Sequence, residues 1–169
     1  EVEKIKSIPF KIKELKIDKK EPKYLLPKEL DSIYELVKDK KLLATYKTYE
    51  ATGMRLSELE NSFRDGNYIK IVKSKARKER IIPIADEHIL DYDLAKDNQL
   101  SKTWISRSFS KYARMVCDSR KTIHCLRHTY AYKMLLKNNG SIQIVRDLLG
   151  HSSVKVTEIY TNIPQGYLK

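Results

Sequence analysis

Apolar positions along the chain recur with helical periods at both ends and with a strand period in the middle. Leu30, Ile33, Tyr34 and Val37 follow Pro27 at i, i+3, i+4, i+7 spacing, which predicts a helix with one buried face and the proline in its first turn. A second helical stretch runs from about Lys41 to Tyr49 and ends before Gly53. In MRLSELENSF (54–63), Ser57 and Glu60 are spaced as a capping box. Asp65-Gly66 signals a turn, and the β-branched runs NYIKIV (67–72) and ERIIPI (79–84) flank a Lys/Arg-rich connection, the pattern of a hairpin with a charged tip. Residues 85–101 hold a short helix or a loop. From Thr103 to Cys117, Trp104, Ile105, Phe109, Tyr112, Met115 and Val116 return to helical spacing. A further helix runs from near His124 to Asn138 and stops at Gly140. Ser141 caps another that ends at Gly150, and Ser152 or Ser153 caps a last one from Val154 towards Asn162, ahead of Pro164. The predicted fold class is mainly α with a small antiparallel β-sheet (α+β). Residues 1–23, Lys/Glu-rich and broken by Pro9 and Pro22, read as a basic linker or arm before a compact domain at 24–169.

Composition narrows the classes. A chain of 169 residues that is 41% hydrophobic is one domain with a real core. No apolar run approaches the roughly 20 residues of a membrane span, and the N-terminus has no signal-peptide pattern, so a soluble intracellular protein is expected. Cys117 and Cys125 lack C-x-x-C spacing and the four histidines form no metal-ligand motif, so neither metal nor cofactor is indicated.

The net charge of +12 is unevenly spread. Residues 64–80 carry seven basic side chains against two acidic, 81–101 one against five, and 102–133 eight against one. Two basic blocks separated by an acidic one fit a positive face for a polyanion. Composition alone fits equally a Lys-rich, thermally adapted surface.

Two constellations carry candidate chemistry. His124-Cys-Leu-Arg127-His128 opens a helix, where i and i+3 side chains share a face. Gly150-His151 is followed nine residues later by Tyr160, and a tight turn with one further helical stretch can return the phenol to the imidazole. With Arg55 after Gly53 and the Lys-rich hairpin tip, these polar groups form a set with two guanidiniums and no carboxylate pair, suited to a phosphodiester. Bidentate Arg forks stabilise the charge of a phosphoryl transition state without a metal, and cations with a histidine favour ionisation of an attacking phenol.

In this order the segments Ala-Thr-Gly53-Met-Arg55-Leu-Ser-Glu58-Leu, Lys75-Ala-Arg-Lys-Glu-Arg80-Ile-Ile-Pro83, His124-x-x-Arg127-His128-Thr129-Tyr130-Ala131 and Leu-Leu-Gly150-His151 with Thr157 and Tyr160 resemble the catalytic domain of the tyrosine recombinase (phage-type integrase) family over residues 24–169. The composition is in keeping with an archaeal virus or mobile element. The resemblance implies a site-specific DNA recombinase or integrase, an enzyme that cuts and rejoins duplex DNA through a 3′-phosphotyrosyl bond, independent of metal and ATP. It implies that Arg55 and Arg127 clamp the scissile phosphate, His124 bonds it and assists proton transfer at the phenol, and His151 donates to a non-bridging oxygen. Tyr160 is the implied nucleophile and Lys75 the implied general acid, with Lys73 or Lys78 as alternatives because Ser74 and Ala76 stand where the family usually has glycines. Glu58 and His128 are expected to orient Arg55 and the phosphate ligands. Lys73, Arg77, Lys78, Arg80, Arg107 and Lys111 are expected to contact DNA. The implied partners are double-stranded DNA at a recombination site and further protomers, a tetramer on DNA and a monomer without it, in the cytoplasm of a prokaryotic host. Because only about 23 residues precede the domain, the family's N-terminal core-binding domain is expected to be absent. Two alternatives share the fold: a type IB topoisomerase-like swivelase and a non-catalytic DNA-binding module.

Overall fold

A computed structural model describes residues 22–72, 79–117 and 119–161. Residues 1–21 of the expected arm at 1–23, and the hairpin tip with Lys73, Lys75, Arg77 and Lys78, lie outside the described residues. The described helices are α1 (Pro27–Leu36), α2 (Lys40–Thr52), α3 (Ile89–Asn98), α4 (Lys102–Val116), α5 (His124–Lys137) and α6 (Ile142–Leu149). Strands β1 (Ser62–Asp65), β2 (Tyr68–Ile71) and β3 (Arg80–Pro83) form an antiparallel sheet in the order β1-β2-β3. The mainly α architecture with one small sheet is as the periodicities predict. Among the described residues no helix is long and apolar enough to cross a membrane.

Local chemistry explains the helix limits. Pro27 starts α1, and Glu29 reaches back to the Leu26 N–H at 2.7 Å. The Asp39 carboxylate accepts from the Lys41 and Leu42 N–H groups at the start of α2, and Ser101 accepts from Trp104 at the start of α4, each satisfying a donor the helix leaves unpaired. At the end of α6 the Gly150 and His151 N–H groups return to the last turn, so the chain reverses just before the histidine.

Among the described residues the expected last helix is absent. Residues Val154–Val156 and Glu158–Tyr160 form two single 3₁₀ turns, with Ser153 capping the first through the Lys155 N–H. Thr157 divides the segment: its buried side chain and its N–H bond back to the Val154 carbonyl close the first turn before an i→i+4 ladder starts. Ser57 and Glu60 form no capping box either. Ser57 is exposed, and Leu59–Asn61 is a 3₁₀ turn whose N-cap residue, Glu58, makes no cap bond. The segment then enters β1, a strand the sequence does not announce because Phe63 is its one large apolar residue and that side chain faces out. Pairing with β2, from Ser62 opposite Ile71 to Asp65 opposite Tyr68, makes it a strand.

Ser62, Ile69, Ile71, Arg80 and Ile82 point from the sheet into the core. Arg80, expected among the DNA contacts, is thus one of the inward-facing residues. Its guanidinium is buried in a bidentate pair with Glu58 at 3.0 and 2.7 Å, and its Nε donates to the Leu148 carbonyl at 2.9 Å. A charge this deep is stable only when paired. Arg80 therefore ties β3 to the loop after α2 and to α6.

The core is rich in tyrosine. Tyr46, Tyr92, Tyr130, Tyr132 and Tyr160 are nearly inaccessible, and the Tyr46 and Tyr92 hydroxyls bond Ser108 and Ser62 at 2.7 and 2.9 Å. Tyr130 lies directly under Gly53, the left-handed cap of α2 at φ +60°, where an added Cβ would fall 2.3 Å from Tyr130 Cδ1.

Gly53→Ala is expected to cost roughly 1–2 kcal/mol for the left-handed backbone and about 1–3 kcal/mol more for overlap with Tyr130. Gly66→Ala, at φ +57° with open space around it, should carry only the first cost. Thermal unfolding of the two variants checks this, with a drop of roughly 4–20 °C for the first and about 2–8 °C for the second; equal drops would dismiss the Tyr130 contact. Burial alone would raise the Glu58 carboxyl, but hydrogen bonds from Arg80 and the Arg55 backbone hold it at about 2, against an ordinary 4.5. A depressed carboxyl stabilises the fold above its unfolded value and loses that contribution as pH falls through its folded one. The stability gap between the parent and Glu58→Gln, about 3–5 kcal/mol at neutral pH, should therefore narrow between about pH 4.5 and pH 2 in denaturant titrations.

Candidate active site

The first turns of α5 carry His124, Arg127 and His128. Arg127 points inward and is 3% exposed. Its Nη1 donates to the Gly53 carbonyl at 2.6 Å and its Nη2 to the Leu149 carbonyl at 2.7 Å. Those acceptors sit at the C-terminal ends of α2 and α6, where backbone carbonyls lack helical partners and the helix dipoles are negative. One guanidinium thus joins three helices. Burial, with the charges of Arg55 and Arg80, pulls Arg127 down to about 9, and Glu58 offsets this only in part.

Arg55 follows the Gly53 turn. The Glu58 carboxylate accepts from its backbone N–H at 2.7 Å and from its Nη1 at 3.0 Å, and a quarter of its side chain remains exposed. Glu58 thus orients Arg55 and at the same time pairs Arg80. His151 follows Gly150, and its Nδ1 bonds the Thr157 hydroxyl at 2.9 Å. Thr157 is fully buried and stands three residues before Tyr160, a motif position whose role the sequence leaves unstated. Arg55 and His151 line an open cavity of about 1170 Å³ between the sheet and α6, together with Arg80, Gly150, Ile144 and Val156.

Tyr160 is 2% exposed. Its ring stands edge-on to Tyr132 at 5.3 Å, and its hydroxyl is 2.7 Å from His128 Nδ1. The family resemblance implies His124 at the phosphate and the phenol, and His128 as a group that orients the phosphate ligands. In the structure the imidazole at the phenol is that of His128. His124 is exposed and meets the His128 ring edge-on, with centroids 4.7 Å apart. Thus Arg55, Arg127, His151 and Tyr160 converge with Glu58 and His128. Lys75 lies outside the described residues, and Arg107 and Lys111 occupy one exposed face of α4.

The protonation pattern follows from burial and positive charge. Burial, then His124, Arg127 and His151, pushes His128 down to about 4. Burial, then Arg127, Arg55 and Arg80, does the same to His151. His124 is lowered by desolvation, Arg127 and Arg55. Burial raises Tyr160 to about 12 against the pull of Arg127 and Arg55. At neutral pH the site holds neutral imidazoles, a protonated phenol and guanidiniums in excess of the Glu58 carboxylate. The arrangement leaves the site with net positive charge.

Residues 87–165 match the model of the Phage integrase family. The chain is 30% identical to a tyrosine recombinase of Pseudothermotoga lettingae over 90% of its own length and 60% of that protein's. The crystal structure of XerA recombinase superposes with a TM-score of 0.73 at 25% identity, over 96% of this chain and 66% of that one. A lambda integrase dimer bound to a COC′ core site shares the fold, with a TM-score of 0.66 at 21% identity over 83% of this chain and 48% of the other. The chain therefore spans about 60% or less of the curated relatives it matches first. Matching the family model over residues 87–165, and tyrosine recombinases in sequence and fold along most of its length, the chain belongs to the phage integrase family of tyrosine recombinases.

Proposed function

We propose that this domain is the strand-cutting unit of a site-specific DNA recombinase. The observation that carries the reading is the convergence of a hydrogen-bonded phenol, neutral imidazoles and incompletely balanced guanidiniums in one site. A phosphodiester is the anion such a site suits. Its charge offsets the mutual repulsion of Arg55 and Arg127, and it grows in the transition state, where bidentate donors act most strongly.

In the proposed reaction the Tyr160 oxygen bonds to phosphorus as the phosphorus–O5′ bond breaks. This leaves a 3′-phosphotyrosyl linkage and an O5′ that takes a proton from a cationic side chain, the role assigned to Lys75. Arg55, Arg127 and His151 hold the non-bridging oxygens. Attack by a 5′-hydroxyl on the linkage reverses the step, and since the phosphodiester energy is kept in the protein–DNA bond no ATP is consumed. Tyr160 must leave its buried pose to reach the phosphate, and its position in the second of two single 3₁₀ turns supports such a movement. The net charge of +12 supports a nucleic-acid substrate. By analogy with the DNA-bound lambda integrase dimer, duplex DNA and further protomers are the proposed partners, acting in the cytoplasm of a prokaryotic cell.

Incubation with a pool of nicked duplexes of random sequence should yield a denaturant-resistant protein–DNA adduct at a 3′ end, and Tyr160→Phe should abolish it. An adduct that survives in Tyr160→Phe would overturn the reading, and binding without any adduct in the parent would favour a non-cutting DNA-binding module. Arg107 and Lys111, one turn apart on α4, should contribute phosphate contacts. Replacing both with Ala should lower the slope of log affinity against log salt by roughly 2, measured by fluorescence anisotropy.

A further inference from the structure

Thr157 ends the first of the two 3₁₀ turns and opens the second. Its N–H donates to the Val154 carbonyl at 2.7 Å, and its own carbonyl accepts from the Tyr160 N–H at 3.0 Å. The side chain is fully buried, and among the described residues its hydroxyl has one hydrogen-bond partner, His151 Nδ1 at 2.9 Å. A threonine side chain is stiff about its Cα–Cβ bond. With the backbone bonded on both sides, the turn sets the direction of the hydroxyl.

A buried hydroxyl proton left without an acceptor is costly, and here the acceptor is Nδ1. Burial, then Arg127, Arg55 and Arg80, holds His151 at about 4, so its ring is neutral at physiological pH. A neutral imidazole donates from one nitrogen and accepts at the other. With Nδ1 accepting from Thr157, the ring proton is on Nε2, the nitrogen left for the cavity that His151 shares with Arg55. The opposite tautomer would present a lone pair to an anion and leave the Thr157 proton unbonded.

We propose that Thr157 is a positioning residue for cleavage: its hydroxyl fixes His151 as the Nε2–H tautomer and holds the ring so that Nε2–H donates to a non-bridging oxygen of the scissile phosphate. This rests on the reading of the domain as a strand-cutting unit. Thr157 touches no reacting atom and acts through His151. The histidine is thereby held from two sides. Its backbone follows the left-handed Gly150, its N–H returns to the Arg146 carbonyl, and Arg127 anchors this end of α6 through the Leu149 carbonyl. Thr157 holds the ring. The donor is therefore set before substrate arrives, and charge growing on the oxygen in the transition state meets a bond already aligned.

Thr157→Val keeps the branched shape and removes the hydroxyl. Adduct formation from the bound nicked duplex should slow by about 10–100-fold with DNA affinity near that of the parent. Thr157→Ser, which keeps the hydroxyl, should retain most of the parent rate. In a His151→Phe background, Thr157→Val should add little further loss. A parent-like rate in Thr157→Val, or losses that multiply in the double variant, would overturn the proposal. Nitrogen-15 NMR of the unmodified, DNA-free protein needs neither a variant nor cutting: the His151 ring should carry its proton on Nε2, and a proton on Nδ1 would overturn the proposal. In Thr157→Val the Nδ1 resonance should move towards that of an unbonded acceptor, a change that a merely structural role would not produce; an unmoved resonance would count against the proposal as decisively. An adduct surviving in Tyr160→Phe would instead refute the strand-cutting reading and leave the tautomer result standing, so the two failures are distinguishable.

Discussion

The buried guanidinium of Arg127 is the interaction on which the site depends. By donating to the Gly53 and Leu149 carbonyls it fixes the ends of α2 and α6 against α5. Arg55 lies two residues beyond one of those ends and His151 two residues beyond the other. The contact has a structural function, satisfying acceptors that helix ends leave orphaned, and an electrostatic one, concentrating positive charge beneath an open cavity. Gly53 permits this geometry because its left-handed turn and lack of a side chain let the carbonyl pass over Tyr130.

A buried positive cluster needs restraint before its ligand arrives, and Glu58 provides it. The carboxylate pairs Arg80 through both guanidinium nitrogens and takes two bonds from Arg55, yet it does not neutralise the set. The same field and the same burial keep the histidines neutral and the phenol protonated. Resting protonation and readiness for an anion thus have one cause.

Much of the architecture is legible in sequence, for identifiable reasons. α1, α2, α4, α5 and α6 carry apolar periods or local caps close to where the structure ends them. β1 was not legible because its residues have no alternation and become a strand only by pairing with β2. The turns holding Tyr160 read as a helix because serine caps and spaced apolar residues look alike in a 3₁₀ turn and in a short α-helix. Arg80 read as a DNA contact because a charge between basic neighbours gives no sign that a carboxylate 22 residues earlier pairs it. His128 read as an accessory to the phosphate because spacing along α5 does not say which side chain of the α5 face meets a segment more than 30 residues later.

Fold class, basic character and the motif positions of Arg55, Arg127, His151 and Tyr160 can be read from the chain alone, because periodicity, charge and motif spacing are local properties. The tertiary structure alone decided that Arg80 is an internal tie, that Arg127 holds two helix ends, and that His128 meets the phenol. Those outcomes turn on distances between segments far apart in the chain, and on the burial that sets each group's proton affinity, and both exist only once the helices and sheet are packed.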